Sequence, residues 1–247
     1  SDDANVPKAA PPIATNDDLE AILTQYQNAE FLAVDTEFLR ERTYYPQLCL
    51  IQISDGVDAV AIDPLAPNLD LNPLWALMRN QNITKVFHAG NQDMEIFLHL
   101  MGSLPEPIYD TQIAAMVCGL GDQVGYDKLV KAMLDHDIDK TSRFTDWSKR
   151  PLSNRQIVYA LDDVIYLAKL YPLMRAKLEA ENRSHWLDEE YAKSNDPATY
   201  VTAPDAAWQK LKVRNMRPAP LLRLMHLAAW REREAQSRDL PRNRVIR

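Results

Sequence analysis

The order of the hydrophobic patterns predicts an α/β fold, a sheet covered by helices. Three observations lead there. Short β-rich runs fall at 31–35, 48–54, 57–62 and 84–88. Helical patterns near 71–80, 91–101, 109–119, 126–134 and 153–192 dominate the rest, and at least one strand is reached through a helix. With 247 residues, 46% of them hydrophobic, the chain can bury the core of one large domain and a fraction more.

Taken in order, residues 1–12, "SDDANVPKAAPP", carry three prolines and are expected to be a flexible lead-in. A helical pattern near 17–28 precedes the strands, and the body is expected to run over 13–194. "SNDPATY" at 194–200 has linker character, and we place the linker at 195–204. Beyond it "AWQKL" and "APLLRLMHLAAWREREAQ" predict two helices of a second, smaller, all-helical element at 205–247. Because "RDLPRNRVIR" has the character of a polar connection, that element is expected to be incomplete.

The net charge of −7 hides an asymmetry. Residues 208–247 hold eleven Lys and Arg against three Asp and Glu, a local +8, which leaves −15 on residues 1–207. A basic segment beside an acidic body suits an anionic ligand, although a solvated basic helix has the same composition. The longest apolar stretches, such as "LCLIQI" at 48–53, are too short to span a bilayer, so no membrane partner is expected. Cys49 and Cys118 lie in apolar surroundings and fit buried free thiols in a reducing cytoplasm.

Three places carry acids that a core does not need. In "FLAVDTEFLR", Asp35 and Glu37 project to one face of a strand, about 7 Å apart. Either the strand ends in solvent or the pair holds a divalent cation, whose charge cancels the repulsion. In "VFHAGNQDMEIF" a strand breaks at Ala89 and Gly90, and Asp93 falls in the first turn of a helix, where the dipole alone favours an acid. His88 is expected to be a packed strand-end histidine, since no second histidine or cysteine stands at ligand spacing. In "PLSNRQIVYALDDVIYLAKLYPLM", Ser153 with Gln156 forms a capping box that sets the register of a helix. Tyr159 and Asp163 then share one face at i and i+4, and Asp162 points roughly 100° away.

In this order, "VDTEF", "HAGNQDMEIF" and "YALDD" resemble the three exonuclease motifs of the DEDD superfamily in its tyrosine-containing branch. "RTYYPQLCLIQI", "YDTQIAAMVCGL", "DKTSRFTDWSKRPLSNRQIVYALDDVIYLAKLY" and "LAAWREREAQSRDLPRNRVIR" extend the likeness to the bacterial ribonuclease D family over nearly the whole chain after residue 12. The last segment resembles the start of the helical domain shared with some helicases (HRDC).

The resemblance implies a ribonuclease H-like mixed sheet flanked by helices, with the motif acids gathered at one end. It implies a 3′-to-5′ exoribonuclease that releases nucleoside 5′-monophosphates from RNA with a free 3′ end, tRNA precursors among the candidates. It implies two divalent ions, Mg2+ or Mn2+, held by Asp35, Glu37, Asp93 and Asp163, with Asp35 between them. Tyr159, whose ordinary pKa near ~10 makes it a poor base, orients the attacking water. Phe38 and Leu39 become candidates to stack against the terminal base, with a core role equally open to Phe38, and Arg143, Lys149 and Arg150 to meet phosphates, with plain surface charge as the alternative. Trp147 is expected to be a packing anchor, and the protein a monomer.

Two other readings stay open. A DNA exonuclease would use the same metal chemistry, since discrimination rests on the 2′-hydroxyl. A binding-only relative would have lost a motif acid, and all four are present with Tyr159. Six glycines, with no G-x-G-x-x-G, G-x-x-x-x-G-K, H-E-x-x-H or G-x-S-x-G, leave nucleotide-loop enzymes, zinc peptidases and serine hydrolases unsupported.

Overall fold

Five short strands form one mixed sheet in the order β3-β2-β1-β4-β5 in the computed structural model, which describes residues 5–247. β1 (Phe31–Leu39) lies at the centre, antiparallel to β2 (Gln47–Ser54) and parallel to β4 (Thr84–Phe87). β3 (Ala59–Ile62) and β5 (Ile108–Asp110) form the two edges. The central position accounts for the apolar start of β1, because Leu32, Ala33 and Val34 are covered on both faces.

Helices cover each face. Leu32 and Val34 pack with α1 (Asn16–Tyr26), α2 (Asn72–Met78) and α3 (Asn91–Met101). Ala33 and Val86, on the other face, meet α4 (Thr111–Val117), α5 (Tyr126–Leu134), α6 (Asn154–Ala180) and α7 (Trp186–Ser194). The mixed sheet flanked by helices is therefore the expected fold class. Within it, α6 begins with the expected capping box: Gln156 N–H donates to Ser153 Oγ at 3.1 Å and Ser153 N–H to Gln156 Oε1 at 3.0 Å.

Several boundaries differ from the sequence pattern. β1 continues past Asp35 to Leu39, because β2 pairs with it throughout and a bulge at Glu37/Phe38 absorbs Cys49. The pattern at 109–119 conceals β5, whose last residue, Asp110, caps α4 by accepting from Gln112 N–H at 2.9 Å. The long pattern at 153–192 is two helices. Asn182 adopts φ +55° and Arg183 N–H reaches back to Leu178 O at 2.9 Å, a closure that ends α6. "AWQKL" lies largely in a 3-10 turn over Pro204–Lys210 that precedes α8 (Pro218–Arg238) and α9 (Arg242–Val245).

The lead-in is not free over its described part. Asn154 accepts from Ala9 N–H at 2.8 Å and donates to Pro7 O at 3.0 Å, while residues 1–4 lie outside the described residues. The C-terminal element also rests on the body. Glu232 on α8 is 0% exposed and takes two bonds from Arg242, at 2.6 and 2.7 Å, and one from the Tyr44 hydroxyl. No helix among the described residues is long and apolar enough to cross a membrane.

Candidate active site

The face of β1 that carries Ala33 also carries Asp35 and Glu37, and α6 lies over that face with Tyr159 and Asp163 turned toward it. Asp35, Glu37 and Asp163 each offer a carboxylate oxygen, and the three oxygens lie within 4.8 Å of one another. Asp35 and Asp163 border a cavity of about 210 Å³ whose walls also include His88, Tyr126, Arg143 and Tyr159. So close a set of acids opposes its own ionisation. Burial, then the charges of Asp163 and Asp93, hold Asp35 well above the usual carboxylate range. Burial and Asp35 do the same to Glu37, and burial and Glu37 to Asp163; Arg143 pulls both of the latter back down.

Asp93 arrives differently from the other three. Its helix, α3, packs on the opposite face of the sheet, the face to which Thr36 points. The Asp93 carboxylate accepts the Thr36 hydroxyl, is only 6% exposed, and is pushed by burial to a pKa of about 7. It thus borders the cluster without contributing to the group of three oxygens. The turn that delivers it is held by Asp110, which accepts from Ala89 N–H at 3.0 Å and Gly90 N–H at 2.9 Å. Ala89 takes φ +54°, and a Cβ on Gly90 would sit 2.8 Å from Phe87 Cβ, so glycine is required there.

Tyr159 is half-buried beside Asp163, with its ring 6.0 Å from that of Trp147. Burial first, then Asp163, Glu37 and Asp35, raise its pKa, so the phenol stays protonated. Trp147 is buried, the packing role expected of it. His88 also behaves as a packed residue: its Nε2 donates to Val124 O at 2.8 Å and its Nδ1 faces Thr111 Oγ1 at 2.8 Å.

The expected substrate contacts divide. Arg143 is exposed on the cavity wall, with its guanidinium 5.1 Å above the Phe144 ring. Lys149 is exposed on the same loop. Arg150 is a strut instead. Its Nε and Nη2 donate to Asp63 at 3.0 and 2.8 Å, Nη2 also to Cys49 O at 2.6 Å, and Nη1 to Trp147 O and Lys149 O at 2.7 and 2.9 Å. All five guanidinium donors are spent, which leaves none for a phosphate. Phe38 packs against the α1–α3 core and Leu39 against the cluster containing Trp147, so both are half-buried wall residues.

Sequence reasoning passed over Tyr126, whose hydroxyl donates to Asp162 O at 2.8 Å beside the cavity, and Gln52, directly opposite Asp35 on β2. A polar residue inside an otherwise apolar strand was the available signal for Gln52. Tyr126 had none. A second groove, of about 970 Å³, borders Arg40, Tyr45, His99 and Lys210 and separates α3 from the C-terminal element. The rings of Tyr45 and His99 stack there at 3.8 Å.

A mixed sheet with this acidic cluster over the second half of its central strand defines a nuclease-like class, and the family follows from comparison. Residues 11–179 match the model of the family described as 3′-5′ exonuclease, and the chain belongs to that family. It is similar to Ribonuclease D of Zymomonas mobilis subsp. mobilis, 49% identical over 238 residues that make up 96% of this chain and 61% of that protein. The chain thus spans about three fifths of the length of the curated relatives it matches. Its fold is similar to the crystal structure of Escherichia coli RNase D, "an exoribonuclease involved in structured RNA processing", with a TM-score of 0.90 and 39% identity over 97% of this chain and 64% of that one. It is also similar to Brucella melitensis NrnC with bound Mg2+, with a TM-score of 0.58 and 31% identity over 65% of this chain and 79% of that one.

Proposed function

We propose that the protein is a metal-dependent 3′-to-5′ exoribonuclease that shortens RNA from a free 3′ end, precursors of tRNA included. The observation that carries this reading is the convergence of the Asp35, Glu37 and Asp163 oxygens within 4.8 Å over the second half of β1. Hard oxygen donors whose burial and mutual repulsion raise their pKa values fit a divalent cation, which favours their ionised forms. Family membership and the likeness to RNase D support the exonuclease activity, and the Mg2+ bound by NrnC supports the choice of ion.

We assign Asp35, Glu37 and Asp163 to hold the ions, with Asp93 as an outer supporting carboxylate. Two ions, Mg2+ or Mn2+, would supply Lewis-acid activation of a water and stabilisation of the departing oxygen. Tyr159, protonated at neutral pH, directs its hydroxyl at the attacking water and orients it rather than deprotonating it. Arg143, on the cavity wall, neutralises part of the charge on the scissile phosphate. The +8 segment at 208–247 and the groove lined by Arg40, Tyr45, His99 and Lys210 suit an auxiliary, sequence-independent grip on the single strand. We regard 205–247 as the start of an HRDC-like helical element. With Cys49 and Cys118 as buried free thiols, we place the protein, as a monomer, in the cytoplasm.

Matched RNA and DNA strands labelled at the 5′ end, incubated with Mg2+, Mn2+ or chelator, test the assignment. The expected result is a ladder that shortens RNA from its 3′ end and disappears in chelator and in Asp35→Asn and Asp163→Asn. Faster loss of DNA would redirect the assignment to a DNA exonuclease. Binding without cleavage would redirect it to a nucleic-acid-binding relative.

A further inference from the structure

Gln52 lies beside the acidic cluster, and the mechanism above leaves its chemistry unused. It lies on β2 as the direct antiparallel partner of Asp35, so the two side chains leave the sheet on the same face, with Cβ atoms about 5 Å apart. Glu37, two residues on, is its diagonal neighbour on that face. The other flank is apolar: Ala61 on β3 is its partner there, and Leu50 precedes it on the same face. Gln52 is 0% exposed, yet its Nε2 and Oε1 make no hydrogen bond of full geometry among the described residues, and the Glu37 carboxylate is the group within reach of its amide.

An amide buried so and left unpaired costs about 1–3 kcal/mol relative to a satisfied one. Methionine or leucine would fill the space without that cost. Its polar neighbours along β1 and β2 on this face are Asp35, Glu37 and Ser54, and the Ser54 hydroxyl is engaged by Gly56 N–H at 3.1 Å, so the two carboxylates are the groups left for the amide to orient. The residue type also suits the position. Lysine or arginine would orient a carboxylate equally well, but its positive charge would compete with a divalent cation. An amide donates N–H and leaves the negative charge of the cluster intact.

We propose that Gln52 is a positioning residue of this centre, one whose amide orients the Glu37 and Asp35 carboxylates for a divalent cation. The proposal rests on the assignment of those acids as cation ligands. Its signature is a trade between stability and binding: an ordinary core residue loses stability when replaced, whereas a residue kept for orientation gives back stability and loses affinity.

The test uses the full chain and two measurements, thermal unfolding in chelator and calorimetric titration with Mn2+. Gln52→Met keeps the volume and removes the amide, and Gln52→Leu serves if the first variant folds poorly. Ile53→Val, on β2 but on the opposite face of the sheet, reports packing alone, and Asp35→Asn reports the loss of a ligand. Gln52→Met should melt at or above the wild-type temperature in chelator and bind Mn2+ roughly 10–100-fold more weakly. Ile53→Val should melt lower and bind Mn2+ normally. Unchanged Mn2+ affinity in Gln52→Met overturns the proposal whatever its melting temperature. A wild-type protein that takes up no more Mn2+ than Asp35→Asn removes the cation-site assignment itself, a separate result.

Discussion

Asp93 gives the acidic cluster a measurable effect on folding. Its ordinary pKa of 3.8 rises to about 7 in the folded protein, with burial as the main cause. A folded-state pKa above the unfolded one means that the stabilising contribution is complete below pH 3.8 and is lost as the pH rises through about 7. Between pH 8 and pH 5.5 the native state therefore takes up most of a proton that the unfolded chain does not, worth about 2 kcal/mol at ~1.36 kcal/mol per unit. For a chain of this size that corresponds to roughly 4–8 °C in Tm. His88, whose pKa burial lowers, works the other way below its ordinary 6.5, but it is common to wild type and Asp93→Asn, so the difference between the two reports Asp93 together with its repulsion of Asp35 and Glu37. In chelator, Asp93→Asn should be the more stable protein at pH 8 and lose about 2 kcal/mol of that advantage by pH 5.5. Thermal unfolding by circular dichroism at five or six pH values reads this directly. Parallel Tm curves for the two proteins would refute the reasoning.

Removing the phenolic oxygen in Tyr159→Phe should lower kcat on 5′-labelled RNA by roughly 10²-fold while Mn2+ binding stays at the wild-type level, as single-turnover kinetics and calorimetry would show. Arg150→Lys cannot reproduce a guanidinium with five spent donors, so it should cost about 2–3 kcal/mol in urea unfolding and leave RNA affinity unchanged, measured by fluorescence anisotropy. An affinity loss without destabilisation would restore Arg150 as a phosphate contact. Lys85 is 0% exposed and donates to Asn80 O at 2.6 Å, Ile83 O at 2.7 Å and Glu106 O. Lys85→Met should strand three buried carbonyls at a net cost of about 2–4 kcal/mol in the same unfolding assay, with exonuclease activity per folded molecule retained.

What was legible in the sequence is what local geometry controls. Strand alternation sets Asp35 and Glu37 on one face without knowledge of the rest of the chain, and the Ser153–Gln156 cap sets the register that aligns Tyr159 with Asp163. The bond from Thr36 to Asp93 depends on α3 packing across the face opposite α6, which no local pattern encodes. Arg150 looked free because its partner, Asp63, lies 87 residues earlier in the chain. Lys85 sits in a strand whose neighbours are apolar, and its three acceptors come from the turn before β4 and the loop before β5. Leu39 illustrates a third kind of gap: β1 was expected to stop at the acids, and its continuation made Leu39 a wall residue, while Phe38 took the core position that its sequence had left open.

The acids therefore sit in a scaffold whose polar stabilisers act around them and spare their charge. Asp110 fixes the turn that presents Asp93, Arg150 ties β2 to the loop before α6, and Lys85 binds the loops at the opposite end of β4. None of these places a cation against Asp35, Glu37 or Asp163 by a hydrogen bond; the nearest arginine to act on them, Arg143, does so from the exposed wall. A scaffold that neutralised the acids would be more stable and would compete with metal for them. Leaving them mutually repelling in a half-buried position makes the fold less stable in chelator and directs that cost toward cation binding, since any cation that favours the ionised forms also favours the folded chain.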